Sequence, residues 1–307
     1  MKKVISISLG SSKRDHRVEV NILGEKFIIE RRGTNGDKKK AARLFTELDG
    51  KYDAFGIGGI DLYIYSGKKR YTFRDAKKLI KDVKQTPAVD GSGLKNTLER
   101  RVVAFLDQKT GLKLANKKVL MVSAVDRFGM AEALVSLGAE VIFGDLIFAL
   151  GLPMPIYSLK TLDKIARTFA PVITKLPIEW VYPTGNNQDK KYTDEKYTRY
   201  YQEADIIAGD YHFVRKYMPQ DMNGKIIITN TVTQENIFEL EKRGIKTLIT
   251  TTPELNGRSF GTNVMEGVLI TLAGKKPGEL SSDDYLKLLD KIGFSPRVIE
   301  FDRQAVS

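Results

Sequence analysis

The 307-residue chain contains no cysteine and only two histidines, His16 and His212. The first absence excludes a disulfide, a thiolate metal site and a cysteine nucleophile, and it makes a reducing cytoplasm the simplest location. The second leaves too few imidazoles for a histidine metal centre or a serine–histidine relay, so no metal is expected. No apolar run approaches the roughly 18 residues of a membrane helix, and the opening Met1-Lys2-Lys3 leads straight into strand-like alternation. The expectation is therefore a soluble protein with no signal peptide and no membrane partner. With 42% hydrophobic and 29% charged residues, the composition is globular, and the length suits two domains.

The net charge of +12 raises the question of nucleic acid. The lysines, however, alternate with acids along most helical stretches, and only Lys38-Lys39-Lys40 and Lys68-Lys69-Arg70 form short clusters. A nucleic-acid binder gathers its cations on one face. The reading is no nucleic-acid partner and an attraction for acidic small molecules, with self-association into a homo-oligomer left open.

The most informative stretch is KVLMVSAVDRFGMAEALVSLGAEVIFGD, from Lys118 to Asp145. Val119 to Val122 read as a buried parallel strand. A small, polar turn follows (Ser123, Ala124, Asp126, Arg127, Gly129). A helix then carries Met130, Ala133, Leu134 and Leu137 and stops at Gly138, and a second strand, Val141 to Phe143, ends at Asp145. In dinucleotide-binding folds an acid about 20 residues past the phosphate turn accepts hydrogen bonds from the ribose, and Asp145 lies 21 residues after Ala124. The G-x-G-x-x-G fingerprint itself is missing. A phosphate could instead rest on helix-start N–H groups with help from Ser123 and Arg127; the same residues also suit an ordinary strand–helix–strand unit with no nucleotide. Asp145 would favour NAD over NADP by repelling a 2′-phosphate, unless Arg127 paired with that phosphate.

Strand and helix patterns alternate further along, with strands at Asp205–Ala208, Lys225–Asn230 and Thr247–Thr252 and a helix from Gln234 to Arg243. This rhythm predicts an α/β protein with a C-terminal Rossmann-type, doubly wound parallel sheet over 116–275. The strand ends Ser123, Asp145, Asp210, Asn230 and Thr252 converge on a nucleotide or a polyol-like ligand. An N-terminal α+β domain over 1–115 opens with three strands, a helix at 37–48 and a fourth strand. Sugar-kinase and actin-like ATPase lobes begin in the same order, but their phosphate loop has an aspartate before its glycine, which Ser8-Leu9-Gly10 lacks. The segment 276–307 is expected to be a helix and an edge strand, Arg297 to Phe301. Ile178–Tyr182 reads as a strand, and the polar loop 183–189 as a flap.

In the loop Asp90-Gly91-Ser92-Gly93, Ser92 either caps the next helix or touches substrate. In the loop 254–263, Arg258 offers a forked contact to a carboxylate, while Asn263 either caps a helix or joins the substrate site.

The runs VSAVDRFGMAEAL, DGSGLKNTLERR, ADIIAGD and TTTPELNGRSFGTNVMEG resemble bacterial proteins labelled quinate 5-dehydrogenase or shikimate-dehydrogenase-like. The resemblance covers nearly the whole chain. It implies a two-domain oxidoreductase that uses NAD or NADP to oxidise a ring hydroxyl of a hydroxylated carboxylate such as quinate or shikimate. The nearest matches to that family's catalytic lysine and aspartate are Lys95 and Asp90. Independently of the resemblance, the loops offer Ser92, Arg258 and Asn263 as substrate residues, and the turn and strand ends offer Ser123, Arg127, Gly129, Asp145, Asn230 and Thr252 as cofactor residues. The alternative is a non-redox nucleotide- or metabolite-binding protein on the same fold.

Overall fold

The computed structural model describes residues 1–66, 69–177, 195–252, 254–255 and 258–301, with 254–255 and 258–259 as backbone. Among these residues no helix is long and apolar enough to cross a membrane. The fold is α/β, and the chain divides into two compact units: 1–97, 167–188 and 254–294, and 98–166, 189–253 and 295–307.

The first unit begins with β1 (Lys2–Ser8), β2 (His16–Ile22), β3 (Glu25–Gly33), α1 (Lys38–Leu48) and β4 (Ala54–Gly58). A hairpin of β5 (Tyr63–Ser66) and β6 (Lys69–Thr72) follows, then α2 (Arg74–Leu79), β7 (Ala88–Val89) and α3 (Ser92–Lys109). Five of these strands form a sheet in the order β2-β3-β1-β4-β7, parallel except for the β2–β3 pair. β1 is central, and its Val4 sits opposite Ile29 of β3 and Ala54 of β4.

The second unit takes over within α3, after Thr97. It contains β8 (Lys118–Met121), a 3₁₀ turn (Val125–Arg127), α4 (Phe128–Ser136), β9 (Glu140–Phe143) and a π-type turn (Asp145–Ala149). Then come α5 (Leu159–Ile173), whose residues from Arg167 belong to the first unit, α6 (Glu195–Glu203), β10 (Ile206–Ala208), α7 (Tyr211–Tyr217), β11 (Ile226–Thr229), α8 (Gln234–Lys242) and β12 (Thr247–Thr250). Helix α4 ends where the sequence places its stop, with Gly138 at φ +82°, a conformation that disfavours a side chain.

A short antiparallel pair, β13 (Glu254–Leu255) and β14 (Arg258–Ser259), precedes α9 (Thr262–Ala273), α10 (Ser282–Lys291) and β15 (Arg297–Glu300). The second sheet runs β9-β8-β10-β11-β12-β15, parallel throughout except for β15, which pairs antiparallel with β12 at the edge. The inner strands are apolar on both faces, with Leu120, Ile207, Ile227 and Leu248 all fully buried, as strands covered by helices on both sides must be.

The expected boundaries of 116 and 275 need correcting. Helix α9, assigned from sequence to the Rossmann-type domain, belongs to the first unit. Its Val264 and Val268 join Val4, Ala54 and Val89 in one core cluster. Gly267 lets the helix sit tight on that sheet, since a Cβ there would lie 3.0 Å from Val4 Cγ1. The hydrophobic pattern gives a buried helix but does not say which sheet buries it. The expected strand at 178–182 and flap at 183–189 lie outside the described residues.

Candidate functional site

In the second sheet the chain leaves β8 for β9 on one side and then passes to β10 on the other. The carboxyl ends of β8 and β10 therefore mark the point where the winding reverses, the usual ligand position in such sheets. Ser123 follows β8, Asp210 follows β10 and Asn230 follows β11.

One guanidinium organises the cluster. Arg127, at the end of the 3₁₀ turn, is only 2% exposed. It forms a close ion pair with Glu99 of α3, lies 3.3 Å from an Asp210 carboxylate oxygen, and has Asp126 at 3.6 Å. Asp210 accepts a 2.6 Å hydrogen bond from the Asn230 side-chain amide, and its other oxygen accepts the His212 amide at the start of α7. Ser123 donates to Asp126 at 2.5 Å. Behind them, Thr252 donates to the Asn230 carbonyl and Thr229 to the Gly209 carbonyl. Carboxylate oxygens of Glu99, Asp126 and Asp210 thus all lie within 3.6 Å of the Arg127 guanidinium. Glu99 is sealed, whereas the Asp210 side chain keeps 21% exposure and is the member that points outward. Among the described residues no His, Cys, Asp and Glu grouping could hold a metal ion.

The turn after β8 carries its own anion. Asp145 Oδ1 accepts from the amides of Ala124 and Val125, both at 2.9 Å, and Oδ2 is shut off from solvent without a hydrogen-bond partner. Burial lifts this carboxyl to about 7, held back by the two amides and pushed further by the neighbouring Asp126 charge. An aromatic group anchors the π-type turn that delivers it. The Phe148 ring packs 5.2 Å from Tyr217 and 5.4 Å from Tyr197, and Tyr217 donates to the Phe148 carbonyl.

Two expected geometries are therefore corrected. Asp145 does not extend toward a ribose but turns onto the neighbouring loop after β8, because the Ala124 and Val125 amides there need an acceptor. Arg127 does not present itself to a 2′-phosphate; buried carboxylates compensate its charge. Gly129 is buried in the first turn of α4, not in the preceding loop. Ser123, Asn230 and Thr252 do come together at the strand ends. Glu99, 28 residues before Arg127 and on another helix, carries no local signal that sequence reading could have used.

The remaining residues fall in the first unit. Asp90 is 7% exposed. One of its oxygens accepts the amides of Leu62 and Tyr63, at 2.6 and 2.9 Å, and the other accepts both the amide and the hydroxyl of Ser92. The expected Lys95–Asp90 couple is corrected: Lys95 Nζ pairs with Asp61, at 3.7 Å, while Asp90 holds the 62–63 loop in place. Ser92 serves as Asp90's hydrogen-bond partner at the start of α3. Asn263 donates to the Ser6 hydroxyl at 2.8 Å. The Arg258 side chain lies outside the described residues. Sequence reading missed Glu266 of α9, 3% exposed and hydrogen-bonded to the Tyr285 hydroxyl. Burial and the Asp90 charge push its carboxyl up to about 8.

No curated protein matches the chain. Among solved structures, a galactofuranose binding protein is 12% identical, covering 95% of this chain and 99% of its own, with a TM-score of 0.36. L-tryptophan dehydrogenase from Nostoc punctiforme is 12% identical over 88% of this chain and 68% of its own, with a TM-score of 0.36. NAD-dependent malic enzyme from Thermotoga maritima is 12% identical over 95% and 84%, with a TM-score of 0.32. Likenesses of this size carry no argument about activity. A family model described as Domain of unknown function (DUF8753) matches residues 3–90. A second, Domain of unknown function (DUF8754), matches residues 93–301, well over half of the sequence, and the chain belongs to that family.

Proposed function

We propose that the second unit binds an uncharged, polyhydroxylated metabolite at the ends of β8, β10 and β11, without redox chemistry. The observation that carries this reading is the Asp145 carboxylate on the Ala124 and Val125 amides, where a Rossmann-type protein would hold pyrophosphate. Electrostatics supports it: the Arg127 guanidinium is already engaged by Glu99 and Asp210, with Asp126 at 3.6 Å, so its charge is not held out for an entering phosphate. The outward pair of Asp210 and Asn230 instead offers a fixed acceptor beside a fixed amide, an arrangement that suits neighbouring hydroxyls, each charge-assisted bond contributing about 1.5–3 kcal/mol.

The second reading is an NAD-dependent oxidoreductase acting on a hydroxylated carboxylate such as quinate or shikimate. The strand order, with its reversal between β8 and β10, favours it. It requires the Asp145 carboxyl to leave its two amides, or the pyrophosphate to bind elsewhere.

A thermal-shift screen separates the two, because a ligand that binds only the folded state raises the melting temperature. The ligands are myo-inositol, glucose, quinate, shikimate, NAD, NADP and ATP. The proposal expects a shift with a polyol and none with the dinucleotides, and an affinity loss of about tenfold or more in Asp210→Asn. A shift with NAD, together with reduction of NAD in the presence of quinate or shikimate, would overturn it.

A further inference from the structure

Of the outer strands of the two large sheets, all but one are blunted. β7 is two residues long and β15 four, while beside β9 the chain runs back through Ile156, which bridges Phe143 antiparallel, with Pro153 and Pro155 lacking amide donors. Short strands and prolines are how natural sheets protect an edge from further pairing. β2 carries neither device. Its seven residues, His16–Ile22, pair with β3 without interruption and include no proline or glycine, and among the described residues no strand pairs with their outer side.

The hairpin turn fixes which backbone groups face outward. Leu23 and Gly24 have φ of +53° and +82°, a two-residue loop with both φ positive, in which the flanking Ile22 and Glu25 exchange their backbone hydrogen bonds. Every second residue of β2 repeats this, so Val20, Val18 and His16 also bond to β3. The N–H and C=O groups of Arg17, Glu19 and Asn21 therefore point away from the sheet. The side chains alternate in the same way: Val18, Val20 and Ile22 pack on the core cluster, whereas Arg17, Glu19 and Asn21 are exposed.

We infer that β2 is the contact surface for a second copy of this chain, the two β2 strands pairing antiparallel about a two-fold axis through Val18 so that the sheets join edge to edge. Such a contact sets one patch against itself, and charge selects the register. With Val18 opposite Val18, Arg17 stands opposite Glu19 of the second copy and Glu19 opposite its Arg17, both in hydrogen-bonding positions. An axis through Arg17 or through Glu19 sets like charges face to face, which is destabilising. Arg17 and Glu19 lie 2.7 Å apart within one chain, and such exposed ion pairs exchange partners at little cost. The contact lies wholly in the first unit and does not depend on the reading of the second.

The test is sedimentation velocity of the full chain from about 1 to about 100 μM at roughly physiological salt, where a monomer–dimer equilibrium is expected. Glu19→Arg turns both opposed pairs into arginine pairs and should weaken association about tenfold or more. Adding Arg17→Glu to it restores opposite charges in the same register and should recover most of that loss. Glu19→Pro deletes one outward amide and no hydrogen bond of the β2–β3 ladder, and should leave a monomer. Thermal melts establish that each variant folds, and the charge variants decide if the proline variant does not. A wild type that stays monomeric throughout, an affinity held within about twofold in the folded single variants, or a charge swap that associates no better than Glu19→Arg would overturn the proposal.

Discussion

The two sheets gather different charged groups at their carboxyl edges. At the carboxyl edge of the first, Arg14 and Arg31 crowd around Gly10 beside Asp15; at that of the second, Glu99, Asp126 and Asp210 surround Arg127. Both edges are built alike, with a glycine or serine leaving a central parallel strand and a loop tied down by hydrogen bonds. Architecture exposes the strand ends, but side chains from elsewhere in the chain decide which charged groups gather there. The overall charge of +12 averages over this contrast and predicts neither end.

The sharpest way to break the contrast is Arg127→Ala. Its guanidinium pairs with the buried Glu99 and with Asp210, and breaking a buried ion pair by removing one partner costs about 3–5 kcal/mol. Urea unfolding measures this. Adding Glu99→Gln should recover part of the loss, since one stranded charge is removed, and a double variant no more stable than Arg127→Ala would separate Glu99 from the network.

Asp145→Ala is expected to have the next largest effect. Two amides lose their acceptor, which costs about 1–3 kcal/mol. The cost should shrink toward alkaline pH, where the wild type bears a charged carboxylate in a closed site. An equal loss at about pH 5 and about pH 8.5 would contradict the raised pKa.

Each unit also hides one such carboxyl, Asp145 at about 7 and Glu266 at about 8. Folded-state values above the ordinary carboxyl range mean that the native state holds its protons longer than the unfolded chain. The stability this provides is complete below about pH 4 and is lost as the pH rises through about 7 and then about 8. Melting temperature should therefore decline from about pH 5 to about pH 8.5, each group contributing at most about 1.4 kcal/mol per pH unit. Glu266→Gln keeps an acceptor for Tyr285 and should flatten the upper part of that decline. A flat or rising wild-type profile would count against both assignments.

Much of the fold is legible in the sequence because its signals are local. The apolar run at Val119–Val122, the helix ending at Gly138 and the edge strand near Arg297 follow from periodicity and capping, and each appears within a few residues of its expected place. The convergence of Ser123, Asn230 and Thr252 follows from topology, which strand–helix alternation implies. The side-chain directions do not follow. Spacing places Asp145 at the end of β9 but cannot tell whether it faces a ligand or the backbone of the turn after β8, a choice set by two amides awaiting an acceptor. Arg127 looks like an exposed phosphate ligand until α3 brings Glu99 against it. Helix α9 carries the right pattern for burial against either sheet, and only packing assigns it to the first.

The most direct test of the account is calorimetric titration of NAD into the wild type and Asp145→Ala. If Asp145 occupies the anion position of the turn, the wild type takes up no NAD, and the variant, with its Ala124 and Val125 amides released, gains measurable binding of NAD or phosphate. If Asp145 were instead a ribose acceptor, the wild type would bind NAD and the variant would lose about 1–3 kcal/mol of that affinity, and that result would contradict the account.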